Sequence, residues 1–105
     1  MQIQINEGLK ELKHLKMSDL TPTQGGLKIL TKENYERVKG LVLTKGFCFP
    51  MFVWKAEDKN QYIIDGHQRW KVFMDEGWGE TSVPCVFIFA ESYKELRSQG
   101  YYYNL

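Results

Sequence analysis

The chain has almost no excess charge: 14 Lys and Arg against 13 Asp and Glu leave a formal charge of +1. No broad basic surface is implied, so non-specific attraction to a nucleic-acid backbone should be weak, and only a local patch stays open. Cysteine is scarce as well. Cys48 and Cys85 form no Cys-X-X-Cys pair, and each sits among apolar neighbours, Phe47-Cys48-Phe49 and Pro84-Cys85-Val86. That setting predicts buried free thiols in a reducing compartment rather than a disulfide. His14 and His67 lie far from each other and from the cysteines, so no zinc ligand set is present. No apolar run nears the roughly 20 residues of a membrane span, no secretory signal is present, and there are neither internal repeats nor low-complexity tracts. Together these absences predict an intracellular, cytoplasmic protein with no membrane partner.

What is present is a core. The 105 residues are 43% apolar and 14% aromatic, which excludes disorder and predicts one domain, or a fragment of a longer protein. Leu9, Leu12 and Leu15 have helical spacing among charges, so a short amphipathic helix is expected near the start. Residues 14–20 read as an edge strand closed by Thr21-Pro22, and Thr23-Gln24-Gly25-Gly26 as a loop that either turns freely or admits a ligand. The clearest helix is 31–45. Thr31 is its N-cap, Glu33 sits in its first turn, Tyr35, Val38, Leu41 and Val42 form its apolar stripe, and Gly46 stops it. Residues 51–55 and 61–64 form a hairpin around the polar turn Glu57-Asp58-Lys59-Asn60. A second helix follows from His67 to Glu76, ending at Gly77. Residues 78–82 are a loop, 83–89 a strand apolar on both faces and therefore interior, and 91–99 a third helix. Pro84 must lie near the start of its strand or at a bulge. Three tyrosines, Tyr101, Tyr102 and Tyr103, then either pack back or meet a partner.

The chemistry concentrates in Tyr62-Ile63-Ile64-Asp65-Gly66-His67-Gln68-Arg69-Trp70-Lys71, where an apolar strand runs through Asp-Gly into a polar helix start. Strand, glycine turn and helix N-terminus are a recurrent cradle for phosphate. Gly66 can take positive φ and let a ligand reach the backbone. The first N–H groups of the helix have no intrahelical acceptor and sit at the positive end of its dipole. Arg69 can grip a phosphate with two parallel hydrogen bonds. Asp65 suits holding Mg²⁺ or orienting a hydroxyl. His67 and Gln68 can contact phosphate oxygens, and His67 can also serve in acid–base chemistry. The competing reading makes Asp65 merely the helix N-cap, with His67 and Arg69 solvated.

The order of these elements resembles the ParB/sulfiredoxin superfamily, in particular the ParB N-terminal domain, also called the ParB-like nuclease domain. The resemblance covers about residues 15–104. It rests on Met17-Ser18-Asp19-Leu20-Thr21-Pro22-Thr23-Gln24, a helix ending at Gly46, Pro50 opening a strand, Ile64-Asp65-Gly66-His67-Gln68-Arg69 before a helix, then Gly77 and Val83-Pro84. It implies an α/β (α+β) fold, a small mixed sheet flanked by three to four helices, with residues 1–13 an N-terminal extension and 14–105 the domain. Partition ParB domains bind CTP with a Gly-Glu-Arg-Arg turn. Gly66 and Arg69 match it, while His67 and Gln68 replace the Glu and the first Arg, so CTP-specific switching is not implied. His67 also stands where sulfiredoxins carry their catalytic Cys, which argues against sulfinic-acid reduction. The ADP-dependent free-serine kinase has an Asp-Gly-His-His-Arg-like turn, from which only Gln68 departs. ParB-like domains of phages, mobile elements and DNA-modification systems carry similar Asp-Gly-His turns and rank first. The helix-turn-helix and dimerisation tail of a whole partition protein are absent from this sequence, so DNA recognition is not written in a recognition helix here.

Three functions are thereby expected. The first is a nucleotide-binding domain in a DNA-related context, taking CTP, ATP or ADP with Mg²⁺ across the loop of Thr23 and Gln24 and the turn of Asp65, Gly66, His67, Gln68 and Arg69. Asp65 would place the metal, and His67 would be the acid–base or phosphate contact. Nucleotide hydrolysis, DNA cleavage, DNA contact through other domains and a dimer are left open. The second is a small-molecule phosphotransferase whose base would be Glu33, Asp19 or Asp65. The third is an interaction module that has lost its ligand, supported by the aromatic tail and by a Trp78 expected to be exposed.

Overall fold

A computed structural model describes residues 2–5, 12–23, 30–88, 92 and 94–95. Five strands form one mixed sheet: β1 (Lys13–Lys16), β2 (Thr21–Pro22), β3 (Met51–Lys55), β4 (Gln61–Asp65) and β5 (Ser82–Phe87). Their order across the sheet is β1-β5-β3-β4-β2. The hairpin β3–β4 is antiparallel, with a register shift between Phe52 and Val53, and β3 runs parallel to β5. Helices α1 (Lys32–Lys45) and α2 (His67–Asp75) supply the crossovers.

Alternation along the strands explains why there are two apolar layers. Met51, Val53, Ile63, Val83 and Cys85 join the main core with Val42, Val72 and Phe73 from the helices. Trp54 and Ile64 point to the opposite face, where Phe52, Ala56, Tyr62 and Ile88 pack on them. Trp54 and Tyr62 are cross-strand partners whose rings stack at 5.9 Å. At the centre of the main core Phe73 meets Phe47 edge-on at 5.9 Å and Trp78 edge-on at 5.5 Å. Burying a ring of this size contributes about 2–3 kcal/mol, and the edge-to-face contacts add to that.

Helix α1 starts and stops as the sequence predicts. The Thr31 side chain accepts from the Asn34 amide at 3.1 Å, and Gly46 ends the helix at φ 78°. A Cβ at Gly46 would collide with the Gln4 carbonyl, because the Phe47 amide donates to that same oxygen at 2.6 Å. Tyr35, Val38 and Val42 face the core, but Leu41 is 54% exposed. The stripe is narrower than expected: Tyr35 and Val38 pack on the core only partly buried, and Val42 is the one buried residue of α1.

Other expectations need correction. The single edge strand over 14–20 is instead β1, a 3₁₀ turn at Met17–Asp19 and then β2. The Met17 and Ser18 amides donate to the carbonyls of Thr81 and Gly79, which pulls the chain out of the strand and buries Met17. The turn carries the chain from one sheet edge to the other. The helix count is lower than expected, with two α-helices among the described residues. Ile5 makes a parallel bridge to Phe47, so the chain is extended there, while the leucine-spaced stretch 6–11 lies outside the described residues. Of the expected third helix only Ser92, Lys94 and Glu95 are described, and the tyrosines at 101–103 are not. Cys85 is buried but Cys48 is exposed, and both are free thiols. Trp78 is 9% exposed rather than free. No helix among the described residues is long and apolar enough to cross a membrane.

Candidate functional site

Strand β2 lies parallel to β4, with Thr21 opposite Tyr62 and Pro22 opposite Ile63. Their carboxyl ends therefore point the same way. Beyond one comes Thr23, and beyond the other, which ends at Asp65, come Gly66 and the start of α2. Crevices outside the carboxyl ends of strands are where α/β sheets bind ligands.

Gly66 is the N-cap of α2, at φ 115° and ψ 15°, and no side chain caps the helix. The alternative in which Asp65 is the N-cap thus fails, since Asp65 is the last residue of β4. Only glycine fits at 66. Its φ is strained for an L residue, and a Cβ would stand 2.5 Å from the Met51 sulfur and 3.1 Å from Arg69 Nη2. The first intrahelical bond runs from the Trp70 amide to the Gly66 carbonyl at 2.9 Å. The amides of His67, Gln68 and Arg69 precede it and have no acceptor within the helix.

His67 joins the two halves of the site. The Thr23 amide donates to its Nε2 at 3.1 Å, and Thr23 Oγ1 lies 2.9 Å from the same nitrogen. The Thr23 hydroxyl also reaches the Ile63 carbonyl at 3.1 Å. Burial pushes the His67 pKa below its ordinary value, and the nearby Asp65 charge opposes that shift. Gln68 is exposed on the first turn.

Arg69 reaches the segment that leads into β3. Nη1 donates to the Phe49 carbonyl, Nη2 lies 3.4 Å from the Pro50 carbonyl, and the guanidinium sits 5.2 Å from the centroid of Phe47. Burial draws its pKa down, with Asp65 and then Cys85 opposing. It remains a cation at any ordinary pH. The sequence places none of the residues it holds at the site, and a contact between positions 20 apart leaves no local pattern to find. Phe49, whose carbonyl it grips, is 71% exposed. Trp70 packs on the core, and its indole N–H is buried with no acceptor among the described residues.

Of the residues expected at the site, Thr23, Asp65, Gly66, His67, Gln68 and Arg69 cluster at this turn, whereas Gln24 lies outside the described residues. Asp19 and Glu33 are exposed. Among the described residues no group of three or more His, Cys, Asp and Glu could hold a metal ion.

No family model matches the chain, and no curated protein matches it by sequence. Solved structures do match. One is the chromosome-partitioning protein ParB from Caulobacter crescentus complexed with CTP-γ-S, at TM-score 0.67 and 18% identity over 84% of this chain and 49% of that one. Another is sulfiredoxin from Arabidopsis thaliana, at TM-score 0.62 and 12% identity over 85% and 94%. A free serine kinase in complex with AMP matches at TM-score 0.54 and 18% identity over 81% and 36%. The chain therefore has the ParB/sulfiredoxin fold. It spans about half of the ParB chain and about a third of the kinase.

Proposed function

We propose that this domain binds a nucleoside di- or triphosphate at the Asp65–Arg69 turn, in a DNA-related setting. The carrying observation is the Thr23–His67 bridge, which joins the end of β2 to the uncapped start of α2. That junction offers an anion three backbone N–H groups, a helix dipole and a glycine that admits close approach. Support comes from the fold: its ParB neighbours were solved with CTP-γ-S and with centromeric parS, and its kinase neighbour with AMP.

Backbone N–H groups and the Gln68 amide would bind phosphate oxygens, and Asp65 would face the metal side. A single carboxylate does not make a protein-built Mg²⁺ cage, but it fits an ion that arrives mostly coordinated by phosphates and water. When bound, Mg²⁺ would neutralise phosphate charge. With a net charge of +1, DNA contact falls to a local patch, another domain or a second subunit. The interaction-module reading loses one of its two supports, because Trp78 is core.

Calorimetric titration with CTP, ATP and ADP, with and without Mg²⁺, tests this on the wild type and on Gln68→Glu. A carboxylate at an exposed first-turn position favours the helix but repels phosphate. Micromolar binding lost in the variant supports the site. Failure of all three nucleotides to bind would refute it, and an acceptor hydroxyl phosphorylated by ATP or ADP would move the reading to the phosphotransferase.

A further inference from the structure

The contacts around His67 Nε2 contain a donor that cannot adjust. A hydroxyl rotates to suit its neighbours and a carbonyl only accepts, but a backbone amide proton is fixed in direction and only donates. The Thr23 amide donates to Nε2 at 3.1 Å. Nε2 must then present its lone pair, and the neutral ring carries its proton on Nδ1. The Thr23 hydroxyl, 2.9 Å from Nε2 and 3.1 Å from the Ile63 carbonyl, can give its single proton to either without changing that conclusion.

We propose that Thr23 is a positioning residue that holds His67 as the neutral Nδ1–H tautomer, so that His67 meets a bound phosphate as a hydrogen-bond donor and not as a general base. Nδ1 is bonded to Cγ, so covalent geometry keeps it closer than Nε2 to the α2 backbone. Nε2, the nitrogen that would take a proton from a substrate, is engaged by Thr23. The ligand class is an anion with acceptor oxygens, and a neutral imidazole at a helix N-terminus suits it as a polarising donor. The donor role rests on the phosphate reading above, whereas the tautomer stands without it.

Long-range ¹H–¹⁵N correlation of the imidazoles at pH 8 reads the tautomer directly. The chain has two histidines, so His14→Gln assigns the signals. Wild type, Thr23→Ser and Thr23→Val keep the amide donor and should show Nδ1–H. Thr23→Pro removes it and should shift His67 toward Nε2–H, with pyrophosphate binding weakened roughly tenfold, the effect of losing one hydrogen bond to a charged group. An Nε2–H ring in the wild type would overturn the proposal, and that measurement needs no variant to fold. A tautomer unmoved in a folded Thr23→Pro would overturn the role of Thr23. An Nδ1–H ring with no pyrophosphate binding would overturn the phosphate reading and the donor role together, leaving the tautomer assigned.

Discussion

Replacing Arg69 by alanine should destabilise the fold as well as alter the site. Its guanidinium ties α2 to the segment that leads into β3, through the Phe49 and Pro50 carbonyls and the Phe47 ring. A hydrogen bond to a charged group is worth about 1.5–3 kcal/mol. Here the Phe49 bond is exposed to solvent and the Pro50 contact is long at 3.4 Å, so the two together are counted as one. The cation–π contact adds about 0.5–1 kcal/mol, and the stem of the side chain covers apolar surface. The sum is roughly 2–4 kcal/mol. With a urea m-value of about 1–1.5 kcal/mol/M for a chain of this size, the midpoint should fall by roughly 2 M. Arg69→Lys keeps the charge but not the planar fork, and should lose about half as much. Equilibrium urea unfolding followed by tryptophan fluorescence measures both. An Arg69→Ala midpoint within about 0.3 M of wild type would show that the guanidinium contacts carry no net energy and that Arg69 is free to serve a ligand. The consequence for binding experiments is direct: loss of nucleotide affinity in Arg69→Ala counts only when stability is measured beside it.

Gly66→Ala should cost roughly 2–4 kcal/mol, from φ strain and from a Cβ driven into the fully buried Met51; an alanine variant as stable as wild type by urea unfolding would refute the glycine requirement. The Tyr35–Glu76–Lys39 cluster that joins α1 to α2 should limit stability at both pH extremes. The Glu76 pKa lies below its ordinary 4.5, first through the hydrogen bond from Tyr35 and then through that from Lys39, so its contribution is present above pH 4.5 and lost as pH falls through the lowered value. The Tyr35 pKa is raised from 10.0 to about 12, first by its bond to Glu76, so its contribution is complete below pH 10 and lost as pH rises toward 12. Thermal melts of wild type and Tyr35→Phe across pH 3–11 check both, and parallel profiles for the two proteins would show that the cluster is not linked to folding.

Much of the fold was legible because its signals are contiguous. The Thr31 cap, the Gly46 stop, the polar hairpin turn and the strand–glycine–helix run through Gly77 each lie within a few residues of the element they define. The errors fall where distant partners decide. Nothing between residues 14 and 20 announces that the Thr81 and Gly79 carbonyls will bend the chain at Met17, and nothing near Trp78 announces the Phe73 ring that buries it. The exposure of Cys48 has the same origin: the isolated bridge from Ile5 holds Phe47 in the core, and the next residue, Cys48, is exposed.

The site divides along the same line. Residues 65–69 named a phosphate cradle from local chemistry, but the roles within it depend on contacts 44 and 20 positions away. Arg69, which sequence alone makes the natural phosphate clamp, is engaged by backbone carbonyls, and His67, which sequence alone leaves open as a base, has its distal nitrogen engaged by Thr23. Both engagements leave the proposed work of holding an anion to the groups that remain at the turn: the first amides of α2, the Nδ1 side of His67 and the exposed Gln68. Backbone donors distinguish phosphates poorly from one another but depend strongly on chain geometry. Under the proposed nucleotide binding, selectivity among nucleotides would therefore come from groups that meet the base and sugar, and affinity for the phosphate would follow the integrity of the Gly66 turn.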